Sequence, residues 1–481
     1  MESSVKKFPH LTTLEVTKEV ENPEPVTGTV TGEIPHWLNG SWFRNGPGIL
    51  HFKQESVKHW FDGMALLRKF HFENGVVTYT SRLLHGDSMQ KNTAAGCVVV
   101  SELYTSANKN GIFRRLKSFL SLPELTDNCL INFLPLGGHL CAITESNFTR
   151  NIDPVTLKTR EKVDLAKHLP ISLMSSHPLV DADGSVFTFS TSVAGTTRTR
   201  YNLIKILPCQ ADVPLEEVLK RAVVVGSIDS KWFLSPSYYH SFAMSQNFAI
   251  FIEMPMKMNI PKMAIAHLRH ISYSECIDWR PEIKTRIHLV DKRTGKRFPA
   301  VFETDPLVVY HYINAFEEDG HVVLDMCCYQ GQGFYEKFLV ENLEEGPQHY
   351  WRKFGSDDKI VRATRFILPL IEDTSLCDKE NLVRLSYTNC AAKVVKFGEI
   401  FCSGELLVSG TENPTINNKY LGRKYKYFYS SGGLSLPPGE MLTKIDVEKK
   451  RRIHTWKEKG CWTSEALFLQ RPGAVSEDDG E

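Results

Sequence analysis

Three histidines stand at strand ends, where an imidazole can be presented rather than buried. His177 lies in Ser175-Ser176-His177-Pro178, His240 in Ser235-Pro236-Ser237-Tyr238-Tyr239-His240-Ser241-Phe242, and His311 in Tyr310-His311-Tyr312-Ile313-Asn314. A neutral imidazole ligates first-row divalent metals and exchanges protons near neutral pH. The same residue at a strand end is more commonly a hydrogen-bonded structural group, and both readings stand for each of the three. Their separations are far too wide for a local metal motif. They are the separations that different blades of a propeller would give if each sent one imidazole to a shared axis. No GxxxxGK[ST], GxSxG or HExxH run occurs, and no GxGxxG joins a strand to a helix, so nucleotide binding and serine-hydrolase chemistry have no support.

The elements that must position these residues are short strands. Arg68 to Phe72 and Val76 to Thr80 flank Glu73-Asn74-Gly75, a tight-turn signal because Asn-Gly adopts positive φ. Asp183-Gly184 and Asp319-Gly320 repeat the device. A second turn recurs at Asp153, Asp291 and Asp446, where an aspartate after a strand can accept from the turn backbone. Hairpins repeated along most of the chain predict a sandwich, barrel or propeller, and a propeller accommodates so many strands with fewest exposed edges. Two apolar, basic stretches interrupt the pattern. One carries Ile112, Phe113, Leu116, Phe119 and Leu120 at helical spacing, and the other runs from Met256 to His270. Each reads as a helix packed on the sheets or as a patch lying on a membrane surface.

Length and composition fit a folded chain. It has 481 residues, 57 Lys+Arg against 56 Asp+Glu, 42% hydrophobic and 23% charged residues. A net charge of +1 supplies no basic field for nucleic acid. The clusters Arg423-Lys424-Tyr425-Lys426 and Lys449-Lys450-Arg451-Arg452 read as solvated turns. Apolar runs such as Phe248-Ala249-Ile250-Phe251-Ile252 are strand-sized, and the first residues lack a secretory apolar core. Eleven scattered cysteines, an odd number with no CxxC pair, read as reduced thiols. The expectation is a cytoplasmic protein with no nucleic-acid partner.

From Val26 onward the sequence resembles the carotenoid cleavage oxygenases. The resemblance is carried by Trp37-Leu38-Asn39-Gly40, Arg44-Asn45-Gly46-Pro47-Gly48, and His59-Trp60-Phe61-Asp62-Gly63-Met64-Ala65-Leu66-Leu67. It continues through Leu125-Thr126-Asp127-Asn128, Thr144-Glu145-Ser146-Asn147-Phe148 and the segments around His240 and His311. Ser464-Glu465-Ala466-Leu467-Phe468 and Glu477-Asp478-Asp479-Gly480 close it. The resemblance implies an all-β, seven-bladed propeller with a helical or loop cap over one face. It also implies an N-terminal extension over 1–25 and a single domain over 26–481. His177, His240 and His311 match iron-ligand positions, for one Fe(II) per chain, and Glu145, Glu412 and Glu465 match the glutamates that orient such ligands. The family's fourth ligand histidine falls beyond Asp478-Asp479-Gly480, so an incomplete last blade is expected, and an iron held by three histidines with weaker affinity. The Ser101 to Lys109 loop lacks the family's cysteine, so no acyl anchor is expected there.

The implied reaction is cleavage of a carotenoid by O2, in first place β-carotene at the central 15,15′ double bond to give retinal. Eccentric 9′,10′ cleavage, isomerohydrolase chemistry on a retinyl ester, and non-catalytic carotenoid or lipid binding are the alternatives. Leu103, Tyr238, Tyr239 and Tyr329 are the candidate tunnel residues. The two apolar, basic stretches are the candidate membrane-facing surface, for transient peripheral contact.

Overall fold

The computed structural model describes residues 21–107, 125–193, 198–333, 335–344, 353, 361–376, 380–432, 441–458 and 463–481. Hairpins dominate, as the turn residues require. Asn74 and Gly75 have φ of 51° and 77°, both positive, which closes Met64–Glu73 onto Val76–Leu83 with Glu73 opposite Val76. Asp319 and Gly320, at 46° and 73°, close Val308–Glu318 onto His321–Tyr329 in the same way. The aspartate turns are equally uniform: Oδ1 of Asp153, Asp291 and Asp446 each accepts from the amides two and three residues ahead.

Among the described residues these strands form six blade-sized sheets. The first joins Asn22–Thr27, Val76–Leu83, Met64–Glu73 and Gly40–Arg44, with Pro47–Ile49 beside Met64–Glu73. The second is Asn132–Leu136, His139–Ile143, Phe148–Ile152 and Thr159–Asp164. In the third, Leu173–Met174 and Leu179–Val180 both pair with Val186–Ser192, followed by Arg200–Ile206 and Val223–Asp229. The fourth runs Ala243–Met244, Phe248–Glu253, Thr285–Asp291 and Val301–Thr304, and continues into Glu399–Ser403 and Ala391–Lys396. The fifth is Val308–Glu318, His321–Tyr329, Arg362–Pro369 and Glu405–Ser409. The sixth is Glu412–Thr415, Tyr427–Ser431, Leu442–Asp446 and Arg451–Trp456.

Six sheets, not the expected seven, follow from one strand pairing. Glu399–Ser403 lies parallel to Val301–Thr304, so the hairpin it forms with Ala391–Lys396 extends the fourth sheet instead of founding another. Met256–Met258 and Ile277–Trp279 form a separate two-stranded ribbon. Inner edge strands adjoin one another: Gly40–Arg44 meets Asn132–Leu136, and Val308–Glu318 meets both Ala243–Met244 and Glu412–Thr415. This is the all-β propeller arrangement, with inner strands around a shared axis. The largest core lies under the third to fifth sheets, around Phe189, Phe251, Phe302 and Leu324.

Among the described residues the helices are short, and Asp87–Ala95, at nine residues, is the longest. The Met256 to His270 stretch is not one helix: a strand is followed by Ile260–Ala264 and Ala266–Arg269. Ile112, Phe113, Leu116, Phe119 and Leu120 lie outside the described residues. The nine described cysteines are all free, eight of them buried. No described helix is long and apolar enough to cross a membrane.

Candidate metal centre

Pro178 has no N–H to give a ladder, and the strand opposite Val186–Ser192 breaks at that point, between Leu173–Met174 and Leu179–Val180. His177 sits in the break. His240 lies three residues before the inner strand Ala243–Met244 of the fourth sheet, and His311 lies within the inner strand of the fifth. That strand shifts register between Val309 and Tyr312 and again between Tyr312 and Asn314. Such bulges suspend strict alternation and re-aim side chains. Serines lock the loops together: the Ser175 hydroxyl donates to the His240 carbonyl at 2.8 Å, and the Ser241 hydroxyl donates to the Tyr310 carbonyl.

The three imidazoles converge. One ligand nitrogen from each lies within 4.8 Å of the others, and Nε2 of His177 is 2.8 Å from Nε2 of His240. Outward nitrogens are engaged by carboxylates. His240 Nδ1 lies 2.6 Å from Glu145 Oε1, and His311 Nδ1 lies 2.7 Å from Glu412 Oε2. A carboxylate accepts, so each Nδ1 carries the proton and each Nε2 lone pair faces the axis. Tyrosines steady the carboxylates: the Tyr238 and Tyr329 hydroxyls donate to Glu145 and Glu412, both at 2.9 Å. Burial, reinforced by the neighbouring His240 and His311 rings, holds the His177 imidazolium far below its usual range. Burial pulls His311 down too, but the Glu412 carboxylate outweighs it and the net displacement is upward. Three converging imidazoles, two of them oriented by carboxylates, form a donor set that fits a first-row divalent metal.

The other expected residues fall around this core. Glu465 is exposed, and its carboxylate acts on His311 through charge, without a hydrogen bond to any of the three imidazoles. It lines a cavity of about 400 Å³ that reaches His177 and His311 and includes Arg44, Trp42 and Leu179 in its wall. Tyr239 packs into the aromatic core against Tyr201 and Phe251. Leu103 is half-buried, and its carbonyl accepts from the Ser274 amide at 2.7 Å. Sequence reading passed over a second group, Tyr104, Tyr310, Tyr335 and His59, which packs beside Tyr238. Tyr310 adjoins His311 in sequence, and His59 begins the Trp60-Phe61-Asp62 segment, but nothing local marks Tyr104 or Tyr335.

A family model described as retinal pigment epithelial membrane protein matches residues 14–481. The β,β-carotene 15,15′-dioxygenases of Mus musculus and Gallus gallus are each 40% identical to this chain, over 467 and 472 residues. Each match covers 96% of this chain, with 82% of the mouse protein and 88% of the chicken protein. The mitochondrial carotenoid-cleaving dioxygenase of Mustela putorius furo is 38% identical over 483 residues, covering 98% of this chain and 87% of that protein. Among solved structures, cobalt-substituted apocarotenoid oxygenase of Synechocystis matches with a TM-score of 0.73 at 23% identity, over 97% of this chain and 88% of that chain. At that identity the likeness establishes a shared fold.

Proposed function

The chain belongs to the retinal pigment epithelial membrane protein family of carotenoid cleavage oxygenases, and from that premise we propose that it cleaves β-carotene with O2 at the central double bond. The observation that carries the reading is the convergence of His177, His240 and His311, two of them oriented by glutamates, in a chain 40% identical to β,β-carotene 15,15′-dioxygenases. In this reaction the 15,15′ C=C bond breaks and each carbon takes one oxygen atom, giving two aldehydes and no other product.

His177, His240 and His311 would hold the metal, which we take to be one Fe(II) per chain. When bound, the iron supplies the redox chemistry that lets O2 react with a closed-shell polyene. The protein's part is positional. Glu145 and Glu412 fix the ring planes and tautomers of His240 and His311. Tyr238 and Tyr329 hold those carboxylates in place by hydrogen bonds. Buried aromatic rings exclude water, and no side-chain acid or base is needed.

Transient membrane contact remains part of the proposal. Phe233 is 62% exposed beside Leu234, whose carbonyl accepts from Ile260 at the start of the helices that carry Lys262 and Arg269. Apolar and cationic groups so placed suit an anionic lipid surface.

Chromatography of the products formed from β-carotene tests the reading. Retinal alone is expected; an apocarotenal, or retinol formed when a retinyl ester is supplied instead, would overturn central cleavage.

A further inference from the structure

The phenol of Tyr104 is held in a way that leaves its hydroxyl unused. The residue is 8% exposed, and its ring stacks on His59 with centroids 3.8 Å apart and planes 15° apart. Its amide donates to both Asp62 oxygens at 3.1 and 3.2 Å, and the Thr105 hydroxyl donates to the same carboxylate at 2.6 Å. His59 is fixed in turn: it accepts from the Phe61 amide through Nδ1 at 3.0 Å, so Nε2 donates to the Tyr335 carbonyl at 2.9 Å. Backbone and ring are thus pinned from two sides. Yet the Tyr104 hydroxyl, buried, meets no hydrogen-bond partner among the described residues. A buried hydroxyl without a partner is destabilising, so one that persists calls for an explanation.

Its place suggests what would satisfy it. The Tyr104 ring lies 5.1 Å from Tyr335, which lies 5.2 Å from Tyr310 and 6.5 Å from Tyr238, the residue hydrogen-bonded to Glu145 behind His240. Two rings, Tyr335 and Tyr310, therefore stand between Tyr104 and the His240 imidazole, on the tyrosine side of the centre. A polyene with its scissile bond at the imidazoles would pass Tyr104 with its flank or end group.

We propose that Tyr104 is a specificity-determining residue whose hydroxyl donates a hydrogen bond to an oxygen on the carotenoid, so that oxygen-bearing carotenoids are favoured over the pure hydrocarbon. The proposal rests on the carotenoid-cleavage reading above. A hydrocarbon leaves the hydroxyl unpaired, whereas a hydroxylated or keto end group pairs it.

The test is Tyr104→Phe, which keeps the ring and removes only the hydroxyl. Cleavage of β-carotene and of its ring-hydroxylated derivative is measured for both proteins. The ratio of kcat/KM, hydroxylated over hydrocarbon, should fall roughly three- to tenfold in Y104F, mainly through KM. The melting temperature of the ligand-free protein should stay level or rise. An unchanged ratio, with both proteins turning over β-carotene, overturns the proposal and leaves the cleavage reading intact. A lower melting temperature for Y104F also overturns it, because the hydroxyl would then have a partner within the protein. Absence of cleavage of either substrate by the unaltered protein overturns the cleavage reading and this proposal with it.

Discussion

Glu145 and Glu412 do at the residue scale what the histidines cannot do for themselves. Taken alone in the sequence, each looks like an exposed loop carboxylate, yet their side chains are only 19% and 12% exposed and touch His240 and His311. The three histidines were legible as candidates from strand-end context, but choosing between structural and ligating roles required the resemblance. Glu465, which matches a third such position, reaches His311 through charge and not through a hydrogen bond. Replacing an orienting carboxylate by its amide frees the ring and weakens its donor power. Glu145→Gln and Glu412→Gln should each lower metal affinity or turnover about 10–100-fold while leaving the melting temperature nearly unchanged. Metal titration of the apoprotein checks this, and affinities equal to that of the unaltered protein would remove the orienting role.

At the scale of elements, the local signals worked where a turn decides the structure. Asn74-Gly75, Asp319-Gly320 and the three aspartate turns were readable because their geometry depends on two or three adjacent residues. Partners distant in sequence were not readable. Met256 to His270 looked like one helix, but Met256–Met258 finds a partner in Ile277–Trp279, and helix begins only where the Asn259 side chain accepts from the Lys262 amide. The helix Asp87–Ala95 is a second case. Its own cap residue, Gly86, offers no side chain, and the Asp127 carboxylate caps it by accepting from the amides of Asp87 and Ser88, both at 2.9 Å.

Burial alone would raise the pKa of Asp127, but those two amides and Arg150 outweigh it and bring it down to about 2. Because the folded value lies below the ordinary 3.8, this group's stabilisation is complete above about pH 4 and is lost as pH falls toward 2. The loss over that window should be about 2 kcal/mol. Asp127→Ala should cost about 3 kcal/mol at neutral pH, since Arg150 keeps only Asp87 as a partner, and should flatten the acid limb of the stability curve. Urea melts at pH 2.5, 4 and 7 read both effects.

For the whole molecule, hairpin repetition left a sandwich, barrel or propeller, with the propeller fitting best, and did not give the number of blades. Blade count depends on whether residues 391–403 found a sheet or extend one, and a parallel pairing across almost a hundred residues of chain settles that. The final segment also escapes local reading. The Arg44 guanidinium donates to the Glu465 carbonyl at 2.6 Å, and Glu477 accepts from the amides of Lys426 and Tyr427, so residues 463–481 brace the sixth sheet and reach the first. That architecture brings residues from the second, third, fourth, fifth and sixth sheets to one axis: Glu145, His177, His240, His311 and Glu412.

The central claim is that this axis holds a catalytic metal. Iron content per chain, measured on anaerobically purified protein alongside His311→Ala, tests it most directly. The account predicts about one Fe per chain in the unaltered protein, lost in H311A without loss of fold. A well-folded protein that takes up no iron, or an H311A variant that retains it, would contradict the account.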